Sequence, residues 1–334
     1  MSIFKRYKLP AALTRRQRLA LAGLIGLASG LGSAARLAQR GWLAGDFTWP
    51  WRAAGYLLAG QNPYPAIQPA GPYPFQSAFY YPLPAALAAL PFARLPAGLA
   101  AGLFFGLSSA LMAYGLSRDG WGGLAAFLSA PYWVAGAVAQ WSPLLLAACL
   151  LPGLEWLLAC KPNLGVAGFL YRPSWRGLAL IAGFLGVSWL VLPAWPLDWL
   201  ATLRGLEGHP PPFLILPFGP LLLLGFLHWR QPEGRLFLAL SLLPQLLFFY
   251  DQLLLWLLPR SLRSGLALSA LSWAAYFAWR LSSLDASHET ILRQPDPFIL
   301  ALIYLPALAL LLARQPALPA QTPAGARTWR KLWN

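Results

Sequence analysis

The sequence predicts an all-α polytopic membrane protein, and three observations carry that prediction. Hydrophobic residues make up 58% of the 334 positions and charged residues only 10%, against about 25% charged in an ordinary soluble domain. The mean hydropathy is +0.54. The 25 Lys and Arg residues outnumber the 10 Asp and Glu, and they punctuate apolar runs, as loop charges that set membrane topology do. A soluble fold of this size cannot hide so much apolar surface. A soluble enzyme, a coiled coil and a disordered chain are therefore excluded. The basic residues do not gather on a soluble patch, so nucleic acid is not the expected partner. Cys149 and Cys160 would lie about 16 Å apart on one helix, too far for a disulfide.

The first element is a span over 19–37, preceded by Lys5, Arg6, Lys8, Arg15, Arg16 and Arg18. By the positive-inside rule the basic start is cytoplasmic, so the chain emerges on the outer face near Gly41. Gly26 and Gly30 form a small-xxx-small pair, a helix-packing signal, as do Gly102 and Gly106.

The next stretch, 41–95, changes character. It is rich in Pro, Tyr and Trp and is not a clean span. Thr48 is placed to cap a short helix beginning at Trp49-Pro50, and Gly60 to stop it. Gln61-Asn62-Pro63-Tyr64-Pro65 reads as turns. A second short apolar piece, 80–95, carries Pro82, Pro84 and Pro91. With Trp42, Trp49, Trp51, Tyr56, Tyr64, Tyr73, Tyr80 and Tyr81 suited to an interfacial belt, the stretch reads as two amphipathic helices lying on the outer membrane surface.

Spans are then expected at 97–116, 121–138, a broken 142–170, 178–192, 213–229, 236–258 with an interruption at Tyr250-Asp251, 265–284 and 297–313. The total is about ten spans, each needing ~20 residues. Treating 236–258 as a hairpin puts Arg118, Arg172, Arg176, Arg230, Arg235, Arg260, Arg263 and the tail inside, which most of the basic residues then share. Residues 1–313 form one transmembrane domain, and 314–334 a basic, disordered cytoplasmic tail. No repeated halves appear, which argues against a transporter.

The chemistry must come from few groups. The ten acids include no Asp-x-Asp pair, and no P-loop, HExxH, GxSxG or dinucleotide fingerprint is present. No metal site and no cofactor is expected. Asp46 stands apart. It follows the first span in Gly45-Asp46-Phe47-Thr48-Trp49-Pro50-Trp51-Arg52, an ionisable group at the membrane edge before a helix N-terminus. The helix dipole is expected to favour its ionised form, which suits a base.

The stretch Asp46-Phe47 through Ala53-Ala54-Gly55-Tyr56-Leu57-Leu58-Ala59-Gly60-Gln61-Asn62-Pro63-Tyr64 resembles the first outer loop of glycosyltransferase family 87. Those are GT-C-type membrane enzymes that take a sugar, often mannose, from a polyprenyl-phosphate carrier on the outer face. Tyr81-Pro82-Leu83-Pro84 resembles the second surface helix of that family, and Ala139-Gln140-Trp141-Ser142 its Gly-Gln outer-loop signal. Lys161-Pro162-Asn163 resembles its Lys-Pro-Gln segment, and Tyr250-Asp251 a late Tyr-Asp segment. Ala139 and Asn163 depart from the family pattern. The resemblance implies a GT-C-like bundle, with Asp46 as general base and inversion at the sugar. It implies substrate-binding positions at Arg52, Asn62, Tyr64, Gln140, Lys161, Tyr250 and Asp251. Lys161 and Arg52 are the cations expected to meet the leaving phosphate. The implied partners are a polyprenyl-phosphate-linked sugar, a lipid or glycan acceptor, and membrane lipids. A lipid or solute transporter and a non-catalytic membrane protein of the same fold are the alternatives.

Overall fold

The computed structural model describes residues 13–70, 77–204, 209–282 and 295–314. The expectations for the tail beyond Arg314 and for Lys5, Arg6, Lys8 and Tyr73 lie outside those residues. Among the described residues every element is helical.

Helix α1 (Arg15–Gln39) opens on a capping box. The Thr14 side chain accepts from the Gln17 N–H, and the Gln17 side chain returns a bond to the Thr14 backbone. Its residues Ala22, Gly26, Gly30, Ser33 and Leu37 are buried, while Leu24, Leu27 and Leu31 on the opposite side are each more than 60% exposed. The buried stripe of small residues packs on α5 (Ala97–Leu116). A Cβ on Gly30 would sit 2.6 Å from the Gly102 carbonyl oxygen, and one on Gly26 would sit 2.8 Å from the Gly106 oxygen. The two glycine pairs expected to pack helices therefore pack against each other, backbone on backbone. The register runs oppositely along the two chains. Arg18, near the start of α1, donates to the Tyr114 carbonyl near the end of α5 at 2.6 Å. The pair is antiparallel, so 41–95 joins them at one end and Asp119 sits at the other.

These two helices are long and apolar enough to cross a membrane. The pair α9 (Trp175–Val191) and α10 (Trp195–Leu203), bent by 96°, adds a third if it counts as one span. The other expected spans are built from shorter pieces. They include α6 (Ala130–Ala137), α7 (Ser142–Leu150), α8 (Pro162–Tyr171), α11 (Pro232–Leu242) and α13 (Asp296–Leu312), while α12 (Leu262–Ser282) is a single helix of 21 residues. The 3₁₀ segments Gly122–Leu128, Glu155–Cys160, Gly219–His228 and Tyr250–Leu257 lie between them. The reason is local: α6, α7, α8, α10 and α11 each carry a proline in the first helical positions. Proline there starts a helix but cannot continue one from the preceding turn, so a continuous apolar run becomes two pieces.

The loop 41–95 also differs from its reading in detail. Helix α2 spans Thr48–Leu58 and starts at Thr48 itself. The Thr48 hydroxyl accepts from the Ala44 N–H at 2.9 Å instead of capping α2. The helix ends before Gly60, which takes φ +70 as expected of a stop. A short turn α3 (Pro63–Ala66) follows, then α4 (Leu83–Ala89). Helix α4 is not an amphipathic surface helix. Leu83, Ala85, Ala86 and Ala89 are fully buried, because small side chains let it pass beneath α2 into the core. A second, smaller core of Ala53, Tyr64, Ile67, Phe79, Leu83, Ala86 and Trp195 ties the loop to α10. Cys149 and Cys160 are free and buried on separate elements.

Candidate functional site

Asp46 lies in a single 3₁₀ turn, Gly45–Phe47, between α1 and α2. Two features fix it. Gly45 takes φ +58, and a Cβ there would lie 2.4 Å from the Val138 carbonyl oxygen. That close approach lets the Asp46 N–H donate to the same oxygen at 2.7 Å. Next in sequence, Phe47 is fully buried and stacks on Phe104 of α5 with 4.0 Å between ring centroids. The backbone around Asp46 is thus clamped by a strand-like bond on one side and an aromatic anchor on the other.

Val138 is the residue that ends α6, and Gln140 follows two positions later. The Gln140 N–H reaches back to the Ala135 carbonyl at 2.9 Å, and Ala139 between them takes φ +48. This is the six-to-one closure of a Schellman ending, with alanine at the left-handed position that glycine usually fills. The conformation costs a non-glycine residue about 1 kcal/mol or more. The Gln140 Oε1 accepts from the Trp141 N–H at 2.8 Å, which orients the amide. Its Nε2 then donates to Asp46 Oδ2 at 2.6 Å. Trp141 is fully buried against Phe104, with ring centroids 4.9 Å apart.

The same amide lies within hydrogen-bonding reach of the Tyr81 and Tyr250 side chains. Tyr250 and Asp251 begin the 3₁₀ segment after Phe249, a second non-glycine residue at positive φ, +47. Asp251 is 2% exposed and its Oδ1 pairs with Lys161 Nζ at 2.5 Å. That ammonium also sits 5.2 Å from the Tyr250 ring centroid. Lys161 itself is delivered at the start of α8, directly before Pro162. Asp46, Gln140, Tyr81, Tyr250, Lys161 and Asp251 therefore form one polar cluster inside an apolar bundle.

The electrostatics follow from that placement. Burial pushes the Asp46 carboxyl up to about 6, and the nearby Asp251 carboxylate adds to the rise while the Lys161 ammonium opposes it. The helix dipole was expected to favour the ionised form. Desolvation outweighs it, because a dipole at a helix end is worth only about 0.3–1 kcal/mol at ordinary exposure whereas burial acts on the whole charge. The residue keeps partial exposure, so a proton has a route in and out. Burial likewise raises the Tyr81 hydroxyl well above its ordinary range, which keeps it a neutral donor.

The remaining expected positions are arranged differently. Asn62 Nδ2 donates to Asp198 Oδ2 at 2.7 Å, while its Oδ1 accepts the Tyr64 N–H at 3.0 Å. Tyr64 is 2% exposed and its hydroxyl donates to the Tyr81 carbonyl at 3.2 Å. These two residues brace the segment that carries Tyr81 instead of lining the cluster. Arg52 lies with its guanidinium 4.5 Å from the Trp51 ring centroid. Tyr81 is the cluster member that the sequence left among the belt aromatics. Its place just before Pro82, in a segment that resembles the family, was the available signal. Gln245, Gln252 and Tyr304 form a further buried polar group, with Gln245 Nε2 donating to the Tyr304 hydroxyl at 3.0 Å. Glutamines inside an apolar run were the mark of it.

Comparison with protein-family models, with curated proteins and with solved structures finds no match.

Proposed function

We propose that this chain is a polytopic membrane glycosyltransferase of the GT-C type, resembling family 87. In this reading it transfers a sugar, mannose foremost, from a polyprenyl-phosphate donor to a hydroxyl of a lipid or glycan acceptor on the extracytoplasmic face. The shorter apolar pieces pair into broken crossings alongside α1 and α5, giving about ten in all. The observation that carries the reading is the polar cluster itself. Asp46, Tyr81, Gln140, Lys161 and Tyr250-Asp251 come from the five segments that resemble the family. Pairs separated by 94 and 90 residues in sequence are in direct contact.

The chemistry is a single inverting displacement. The acceptor hydroxyl oxygen attacks the anomeric carbon and gives its proton to Asp46. The bond from that carbon to the phosphate oxygen breaks, and its electron pair leaves with the polyprenyl phosphate. A carboxylate with a pKa near 6 is mostly ionised at neutral pH and more basic than an ordinary aspartate, which favours a general base. Gln140 holds the carboxylate in one orientation, and its donor is worth more in this desolvated setting than in water. Lys161 is the cation nearest to hand for the departing phosphate charge. Asp251, paired with that ammonium at 2.5 Å, keeps it in position before the donor enters.

The test is a sugar-transfer assay in membranes supplied with polyprenyl-phosphate mannose. Asp46→Asn keeps size and shape but cannot take a proton. It is expected to insert and melt as the wild type does, and to lose about 10²–10⁴ in rate. Transfer at near wild-type turnover by Asp46→Asn would remove the base and most of the mechanism with it.

A further inference from the structure

A second polar site lies at the opposite end of the bundle. Helices α7 and α8 both begin at the polar cluster, at Ser142 and Pro162, and run for nine and ten residues to Leu150 and Tyr171. At ~1.5 Å per residue their far ends are about 13–15 Å away. Leu150 there touches Gly115 near the end of α5, where a Cβ would meet its side chain at 3.0 Å. The far ends thus share a level with Arg18, Tyr114 and Asp119.

A cleft of about 410 Å³ opens at this level, lined by Arg172, Arg176, Arg235, Glu155, Tyr171 and Ser174 among others. Three guanidiniums face one carboxylate. Glu155 is already engaged, its Oε2 accepting the Gly153 N–H at 2.5 Å. Arg235 is held rigidly, with Nε donating to the Leu170 carbonyl at 2.7 Å. Ser174 caps the 17-residue α9, its Oγ accepting from the Gly177 N–H at 3.0 Å, so the positive end of that helix dipole also meets the cleft. The outer face of α9 is apolar. Trp175 is 69% exposed and Leu178 43%, a surface suited to acyl chains with tryptophan at headgroup level.

We propose that this cleft binds the phosphate-bearing headgroup of an anionic phospholipid, whose acyl chains lie along α9. The charge excess, the helix N-terminus and the neighbouring apolar face meet at one place, which is how basic pockets between helices select anionic lipids. The headgroup would fasten the ends of α7 and α8 whose other ends carry Gln140 and Lys161. The proposal needs only that the chain sits in a membrane, and it stands whether or not Asp46 is a base.

The full chain reconstituted in nanodiscs tests it. One set contains phosphatidylcholine alone, a second equimolar phosphatidylcholine and phosphatidylglycerol, and a third phosphatidylcholine with inorganic phosphate. Retained phosphatidylglycerol is read by native mass spectrometry and thermal stability by a melting curve. Each arginine near a bilayer surface is worth roughly fivefold in affinity. Arg172→Gln with Arg176→Gln should therefore weaken phosphatidylglycerol retention by roughly 25-fold and abolish the rise in melting temperature that this lipid gives the wild type. Arg118→Gln, exposed at the same end but outside the cleft, should leave both within about twofold. If the double variant already melts lower in phosphatidylcholine alone, the retention ratio of Arg176→Gln decides, with a loss of roughly fivefold expected. Equal retention by wild type and variants would overturn the site. Stabilisation by inorganic phosphate in phosphatidylcholine equal to that given by phosphatidylglycerol would overturn the lipid assignment.

Discussion

Gln140 Nε2 donates to Asp46 Oδ2 at 2.6 Å, across 94 residues of chain. The bond exists because Gly45 and Val138 bring their backbones together beneath it. That amide orients the carboxylate, and the first prediction turns on the bond between them.

With the Asp46 carboxyl at about 6, the base form is the deprotonated one. Transfer, measured as kcat/KM, should rise as pH increases through about 6 and level off above it. Gln140→Leu removes a hydrogen bond that favours the charged form, so its profile should move to higher pH as well as fall in amplitude by about tenfold. A profile unchanged in midpoint would show that Gln140 does not act on this carboxylate.

Gly45 tests the clamp itself. A methyl group there meets the Val138 oxygen at 2.4 Å, whereas Gly41, also at positive φ (+63), has open space around it. Gly45→Ala must push α6 and the Asp46 turn apart, so near-complete loss of transfer is expected together with a lower melting temperature. Gly41→Ala should cost only the conformational penalty of about 1 kcal/mol and keep its activity. Comparable damage from both substitutions would refute the close approach as the cause.

The Lys161–Asp251 pair predicts a non-additive stability pattern. Removing one partner leaves a buried charge alone, typically a loss of about 3–5 kcal/mol, while replacing both by apolar groups is far milder. Asp251→Leu and Lys161→Met should each destabilise strongly, and the double variant should melt closer to the wild type than either. All three should transfer little sugar. Additive losses in the double variant would mean that the ion pair does not hold these segments together.

The antiparallel pairing of α1 and α5 places Ala70 and Asp119 at opposite ends of the bundle. Cysteines introduced singly at those exposed positions, in a background lacking Cys149 and Cys160, should react with an impermeant thiol reagent from opposite sides. Labelling of both from one side would sink the topology.

A last prediction concerns metal. Asp251, one of the two carboxylates in the cluster, is already held by an ammonium at 2.5 Å, and a basic side chain stands ready for the phosphate. Transfer is expected to survive EDTA. Loss of activity with chelator, restored by Mg²⁺ or Mn²⁺, would recast Asp251 as a ligand and Lys161 as its placeholder.

Part of this could be read from the chain alone. Composition and the spacing of charges sufficed for a helical membrane protein, because burial of apolar surface and satisfaction of backbone groups in lipid depend on residue type and run length. The two glycine pairs signalled a close helix contact, though not that each was the other's partner. Asp46 was singled out by its place at a membrane edge, and Gln140, Lys161, Tyr250 and Asp251 by resemblance. What no local pattern contains is the set of distances between them. That Lys161 pairs with Asp251, that Tyr81 joins the cluster, and that Asn62, Tyr64 and Asp198 brace it from outside all depend on how separate helices pack. The same holds for the acidity of Asp46. Its sequence neighbours pointed to a dipole-stabilised carboxylate, but desolvation by residues distant in the chain decides the matter, and only the tertiary structure brings them near. Ala139 shows the division within one residue: its identity is in the sequence, while the left-handed turn it takes is imposed by the end of α6 meeting Asp46.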